Sequence, residues 1–220
     1  MIVQIKIFNS TEHGERTLQD WDCAEAMDFP LFERTLKHVH DHGKLPEDMY
    51  SKEDQNELGE SHVDDEAIQQ AKIEAAKWFA SLKLPNGGEH IQLCILDGFL
   101  LYSDPSNPSI PLSITNLLDL NLFLRSTQSQ TVQRRSKRAG YVTMGDFWVD
   151  PPGYVEDVVW PNYVIEHAWM FEGGDVDQGE CTEKVKKEGI VVGPGMGERK
   201  MSELMVWGIE SVKEGVKKMT

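Results

Sequence analysis

The chain has 220 residues, of which 40% are hydrophobic and 9% aromatic, a length and composition that suit one domain with a sizeable core. Acidic residues outnumber basic ones by 37 to 22, and the formal net charge of −15 disfavours binding to nucleic acid or to an anionic membrane surface. No run reaches the ~18 apolar residues of a membrane helix. The three scattered cysteines favour the cytoplasm, with the nucleus as an alternative.

The first half of the chain contains signals for one strand and two helices. Residues 2–8 alternate between apolar and polar side chains and predict a strand, and the polar stretch 9–16 predicts a loop. Helical spacing of apolar residues, with acidic residues at the start and a glycine at the end of the first run, predicts helices over 28–43 and 65–82. The acidic stretch 44–60 between them predicts a surface excursion.

The second half continues the alternation of strands and helices. In chain order, the predicted elements are an apolar strand over 91–96, a strand over 120–124, a polar helix over 129–138, a Pro/Gly/aromatic segment over 140–161, a helix from Pro161, a strand over 189–192 and a helix over 202–217. This order predicts a single α/β domain over 1–220 with a parallel sheet.

An acidic residue stands directly after the predicted strand 91–96. The carboxyl ends of parallel strands line the crevice in which open α/β sheets bind ligands, so Asp97 is a candidate ligand of Mg²⁺ or of its waters. The alternative is an ordinary Asp-Gly turn at the end of a strand.

A basic cluster stands out in this acidic chain. It comprises Arg134, Arg135, Lys137 and Arg138, and on a helix Arg134 and Arg138 share one face. The planar guanidinium matches the oxygens of a phosphate, which suits a lid over a nucleotide. A solvated helix face and a nuclear localisation signal are the alternatives.

A tryptophan and an acid are adjacent near the start of the chain. The ring of Trp21 could stack on a base, and the carboxylate of Asp22 could accept hydrogen bonds from two ribose hydroxyls. The alternative is a buried tryptophan beside an acid that precedes a helix.

Four segments occur in an order that resembles the nicotinamide riboside kinases, especially the fungal members. They are LQDWDCAEAMD, ILDGFLLY, QRRSKRAGYVTMGDFWVDPPGY and VVWPNYV, within residues 17–175. The resemblance implies a P-loop nucleoside-kinase-like parallel sheet flanked by helices, with a lid over about 129–160. It also implies ATP-dependent phosphorylation of nicotinamide riboside to nicotinamide mononucleotide in NAD biosynthesis, with ATP and Mg²⁺ as cofactors. A uridine-kinase-like enzyme and a non-catalytic protein that binds a nucleoside or a partner are the alternatives.

The resemblance also implies roles for single residues. Trp21 and Tyr141 would stack on the nicotinamide ring, while Asp22 and Arg135 would hold the ribose. On the nucleotide side, the implied residues are Arg134 and Arg138 at the ATP phosphates and Asp97 near Mg²⁺.

One departure from the family concerns catalysis. The sequence contains no GxxxxGK[ST] loop, and the family's first strand, first helix and catalytic base have no counterpart, so no catalytic residue is assigned. We therefore expect a chain that is truncated at its N-terminus and inactive as printed. A protein that has lost catalysis and retains binding is the competing explanation.

Overall fold

The computed structural model describes residues 4–10, 14–49, 52, 55–56, 59–82, 91–143 and 147–219. Contacts within the chain divide it into two compact units. The first unit comprises Met1–Glu57, Cys94–Leu118 and Thr127–Lys184, and the second comprises Leu58–Leu93, Asp119–Ser126 and Val185–Thr220. The expectation of one domain over the whole chain stays a prediction.

The described residues form short strands and helices of mixed length. In chain order these are β1 Gln4–Ser10, β2 Gly14–Asp20, a 3₁₀ turn Ala24–Ala26, α1 Phe29–His42, α2 Asp65–Ser81, α3 Leu112–Thr115, β3 Asn121–Phe123, α4 Gln128–Ser136, β4 Tyr141–Val142, β5 Phe147–Trp148, a π-helical turn Val155–Val159, α5 Trp160–His167, 3₁₀ turns Ala168–Met170 and Glu172–Gly174, α6 Glu183–Lys187, β6 Ile190–Val192 and α7 Met201–Met219. None of the helices in these ranges is long and apolar enough to cross a membrane.

The first unit begins with an antiparallel hairpin. Strand β1 pairs with β2 in a register that sets Gln4 opposite Asp20 and Ser10 opposite Gly14. The predicted strand over 2–8 is confirmed for the described residues 4–8. The predicted loop over 9–16 is wrong at residues 9–10, which continue β1, and at residues 14–16, which begin β2, and its residues 11–13 lie outside the described residues. The β2 sequence GERTLQD is mostly polar and lacks apolar alternation, so its strand conformation depends on backbone pairing with β1 rather than on a sequence pattern.

Helix α1 is bounded by the capping residues that the sequence predicts. The Asp28 carboxylate accepts a hydrogen bond from the Leu31 amide at 3.0 Å, and Pro30 occupies the first turn. Gly43 ends the helix at φ 66°, a left-handed conformation that favours glycine. The apolar face of α1 supplies Phe29, Phe32 and Leu36 to a core built on Leu100, Ile110 and Ile114.

Removing the α1 cap should destabilise the first unit. Asp28→Ala leaves the Leu31 amide without its acceptor, and we expect the free energy of unfolding to fall by about 1 kcal/mol. Asp64→Ala is the matched control, because Asp64 precedes α2 without a side-chain capping hydrogen bond. Urea titration of both variants measures the difference, and equal losses would contradict the capping role of Asp28.

The second unit contains the parallel pairing. Strand β3 pairs with β6 in parallel, with Leu122 opposite Val191, and the Gly193 amide donates to the Phe123 carbonyl at 2.8 Å beyond the ladder. Helix α7 approaches this layer closely, because a Cβ on Gly215 would lie 3.2 Å from the Leu120 side chain. The predicted strands over 120–124 and 189–192 are therefore confirmed, and the protein has a mixed α/β structure with a small parallel sheet.

The predicted strand over 91–96 is wrong. Residues 91–98 form neither a helix nor a strand, and the side chains of Leu93 and Ile95 are 50% and 94% exposed. The apolar composition of this segment suits a buried strand, but a strand also needs a neighbouring backbone with which to pair. Asp97 consequently does not follow a strand, so the prediction that it lies at the carboxyl end of a parallel strand is wrong.

Candidate functional site

The candidate site begins where β2 ends. Asp20 is fully buried, and its Oδ1 atom accepts a hydrogen bond from the Asp22 amide at 3.1 Å. This side-chain-to-backbone contact turns the chain between the two residues. The same Oδ1 atom accepts a second hydrogen bond, at 2.9 Å, from the Asn162 side chain on α5. The end of the hairpin is thereby tied to a helix 142 residues further along the chain.

The Tyr154 side chain forms hydrogen bonds with Trp21 and with Asp22 in this turn. The Trp21 amide donates to the Tyr154 hydroxyl at 3.1 Å, and that hydroxyl donates to Asp22 Oδ2 at 3.0 Å. Burial, with the nearby Asp22 carboxylate, raises the pKa of Tyr154 well above its ordinary value. The phenol therefore keeps its proton and remains a donor to Asp22 at neutral pH.

Three aromatic rings surround this turn, and we call Trp21, Trp148 and Tyr154 the aromatic cluster. The rings of Trp21 and Trp148 meet edge to face with centroids 6.2 Å apart, and Trp148 meets Tyr154 in the same way at 5.6 Å. Edge-to-face packing suits the ring quadrupoles. The buried Trp21 Nε1 has no hydrogen-bond partner among the residues that the structure describes. Tyr154 is buried, so the flat apolar surface of the cluster is that of the partly exposed rings of Trp21 and Trp148.

A two-point ion pair lies beside the aromatic cluster. Arg135 Nε donates to Asp150 Oδ2 at 2.7 Å, and Arg135 Nη2 donates to Asp150 Oδ1 at 2.9 Å. Trp148 Nε1 donates to the same Oδ1 at 2.9 Å. Burial alone would raise the pKa of Asp150, but the hydrogen bonds from Arg135 and Trp148 outweigh it and lower that pKa. Asp150 is therefore an ionised carboxylate that fixes Arg135.

The electrostatics around Asp22 are dominated by burial. Burial raises the pKa of Asp22 above its ordinary value, Arg135 and the Tyr154 hydrogen bond oppose that rise, and Asp150 and Asp20 add to it. The carboxyl groups of Asp22 and Asp150 both act on the Arg135 guanidinium, and Asp20 adds a further carboxyl near Asp22. A group with hydroxyls to donate or with positive charge would complement this arrangement, because it would favour the ionised form of Asp22.

The structure brings four of the predicted site residues together. Trp21 and Asp22 are consecutive, and Arg135 is close enough to Asp22 to act on its pKa. Tyr141 lies on β4 opposite Trp148 of β5, with the Arg138 guanidinium 4.5 Å from the centre of its ring. Burial raises the pKa of Tyr141, while the charge of Arg135 lowers it and the charge of Asp22 raises it further. Because both charges act on Tyr141, its side chain lies near Asp22 and Arg135.

The predicted nucleotide and metal residues lie at the surface, Arg138 beside Tyr141. Arg134 and Arg138 are both exposed, and so is Asp97. Within the described ranges, no group of three or more His, Cys, Asp or Glu side chains could hold a metal ion. The roles of these three residues at ATP and Mg²⁺ stay predictions.

Several residues of the site were missed by sequence reasoning. They are Asp20, Trp148, Asp150, Tyr154 and Asn162. All five lie inside segments that resemble the family and that combine acidic with aromatic residues. The contacts of Tyr154 with Asp22 and of Asn162 with Asp20 join residues that are more than 130 positions apart, which no local pattern reveals.

Comparison with known proteins gives three fungal relatives. The nicotinamide riboside kinase of Schizosaccharomyces pombe is 31% identical over 195 residues, which cover 89% of this chain and 75% of the relative. The nicotinamide riboside kinases of Saccharomyces cerevisiae and Eremothecium gossypii are 28% and 26% identical over 73% and 74% of this chain, and the matches span 61% of each relative. No family model and no solved structure matches. The chain belongs to the nicotinamide riboside kinase family.

Proposed function

We propose that this chain carries the nucleoside site of a nicotinamide riboside kinase, an enzyme that phosphorylates nicotinamide riboside at the expense of ATP. The observation that carries the proposal is Asp22, held by Tyr154 beside the ring of Trp21. The relatives' names supply the substrate, and the P-loop nucleoside-kinase fold is part of the proposal.

The chemistry of nicotinamide riboside matches the site at two points. Its pyridinium ring is flat and positively charged, so it gains both apolar contact and cation–π attraction from the partly exposed rings of Trp21 and Trp148. Its ribose carries two adjacent hydroxyls that can donate to the Asp22 carboxylate. A uracil ring is neutral and lacks the charge-dependent part of this attraction. The match therefore favours nicotinamide riboside over the uridine-kinase alternative.

The described residues fit ATP and Mg²⁺ less well than they fit nicotinamide riboside. The printed sequence contains no GxxxxGK[ST] loop, whose backbone amides, Lys and hydroxyl would hold the phosphates and the metal ion. Exposed Arg134 and Arg138 on and after α4 could contact phosphate oxygens, and Asp97 could contact a cation, but these residues do not form a closed site. The experiment that tests the proposal therefore measures nucleoside binding rather than turnover.

Titration with nicotinamide riboside tests the proposal. We expect the nucleoside to quench tryptophan fluorescence in the wild-type chain. Trp21→Ala should weaken binding by roughly tenfold, since stacking on an aromatic ring is worth about 1–3 kcal/mol. Trp78→Ala is the control, because Trp78 packs against Phe79 in the second unit.

Calorimetry with the same ligands separates the outcomes. Equal affinity of Trp21→Ala and the wild-type chain would remove Trp21 from the site. Uridine that binds as tightly as nicotinamide riboside would favour the uridine-kinase alternative. A wild-type chain that binds neither nucleoside would overturn the proposed function.

A further inference from the structure

We infer that Asp20 and Asn162 act together as a positioning pair that sets Trp21 and Asp22 for nucleoside binding. The inference deepens the proposed function and rests on it, because it assigns the geometry of the same site to two residues that do not touch the ligand. The family resemblance implies no role for either residue.

The position of Asp20 explains why it acts through its neighbours. Its side chain is 0% exposed, so it cannot reach a nucleoside in the site. Its Oδ1 atom accepts two hydrogen bonds, one from the Asp22 amide at 3.1 Å and one from the Asn162 side chain at 2.9 Å. The orientation of the Asn162 amide therefore fixes the carboxylate, and the carboxylate fixes the backbone that carries Asp22.

A buried carboxylate at this position is costly for folding. Transfer of a charged group from water into the interior is unfavourable unless hydrogen bonds compensate it, and an apolar side chain would avoid that cost. Asp20 also adds negative charge near Asp22 and Tyr154, where it raises the pKa of each group. A residue that serves packing alone has no need of this charge or of a partner on α5.

The first test removes the donor and keeps the number of heavy atoms in the side chain. In Asn162→Leu, the Asp20 carboxylate loses its contact with α5 and the turn at Asp22 becomes looser. We expect nicotinamide riboside affinity to fall about five- to tenfold, less than the full loss of a hydrogen bond to a charged group, because the pair acts on the ligand only through the turn. We also expect faster hydrogen exchange at the Trp21 and Asp22 amides, which is measurable without ligand. Asn116→Leu, at the exposed end of α3, is the matched control.

The second test exchanges the two side chains. Asn162→Asp sets a carboxylate against the Asp20 carboxylate and should weaken binding at least as much as Asn162→Leu. Asp20→Asn in the Asn162→Asp background restores an amide–carboxylate hydrogen bond and keeps an oxygen for the Asp22 amide. We expect the double variant to regain most of the lost affinity, a coupling that independent structural damage at two positions would not produce.

The outcomes distinguish the pair from the proposed function. Unchanged affinity in Asn162→Leu overturns the inference, and so does a double variant that binds no better than Asn162→Asp. Faster exchange with unchanged affinity shows that the pair holds the turn but does not position the site, which also overturns it. A wild-type chain that does not bind nicotinamide riboside overturns the proposed function and the binding part of the inference, while hydrogen exchange still decides whether the pair fixes the turn.

Discussion

Asp22→Ala is expected to weaken nicotinamide riboside binding by about 100-fold, a larger loss than any other single substitution in the site should cause. The carboxylate is the acceptor that we propose for both ribose hydroxyls, and hydrogen bonds to a charged group contribute about 1.5–3 kcal/mol. Its removal also leaves the buried Tyr154 hydroxyl without the acceptor at 3.0 Å. Isothermal titration calorimetry measures the change, with Asp119→Ala on the exposed surface of the second unit as control.

The pH dependence of binding follows from the same carboxyl. Because burial raises the pKa of Asp22 in the folded chain, nicotinamide riboside affinity should be full above that pKa and decline as the pH falls through it. The decline should begin at a higher pH than for an ordinary Asp, whose pKa is 3.8. Asp22→Asn should remove this dependence.

Stability should respond in the opposite sense. A raised folded-state pKa means that Asp22 contributes stability below its unfolded pKa and loses that contribution as the pH rises through the folded value. At neutral pH Asp22→Asn should therefore unfold at the same temperature as the wild-type chain or a higher one, although it binds the nucleoside more weakly. A parallel loss of stability and affinity would contradict the assignment of Asp22 to the ligand.

Local signals made most of the helices predictable. The caps Asp28 and Gly43 enclose α1, and the apolar spacing of the sequence locates α2 and α7 to within a few residues. Such signals involve neighbours on one turn or one helix face, so they do not depend on the rest of the fold.

Strands were harder to predict, because pairing rather than composition decides them. The polar segment Gly14–Asp20 is a strand because it pairs with β1, whereas the apolar segment 91–96 does not form a strand. The residues of the candidate site also divide into those that a local pattern predicts and those that only the folded structure brings together. Trp21 and Asp22 could be found because they are adjacent, but the contacts of Asp20 with Asn162 and of Asp22 with Tyr154 arise only on folding.

Arg135→Ala is expected to lower the free energy of unfolding by about 3 kcal/mol, the largest effect on stability among these predictions. The Arg135 and Asp150 side chains are 20% and 14% exposed, and two hydrogen bonds join them. Removal of one partner from a largely buried ion pair leaves the other charge uncompensated, which costs about 3–5 kcal/mol when burial is complete. Urea titration measures the loss, and the nucleoside affinity should fall with it because Arg135 also acts on Asp22.

Arg138→Ala provides the matched control on the same basic cluster. Its guanidinium lies over the Tyr141 ring with the side chain exposed, and the loss should stay below about 1 kcal/mol. Arg135→Met combined with Asp150→Leu should recover part of the stability lost in Arg135→Ala, because no buried charge remains unpaired. It should not recover nucleoside affinity, since the guanidinium beside Asp22 is still missing. Equal losses of unfolding free energy in Arg135→Ala and Arg138→Ala would show that the ion pair with Asp150 does not distinguish the two arginines.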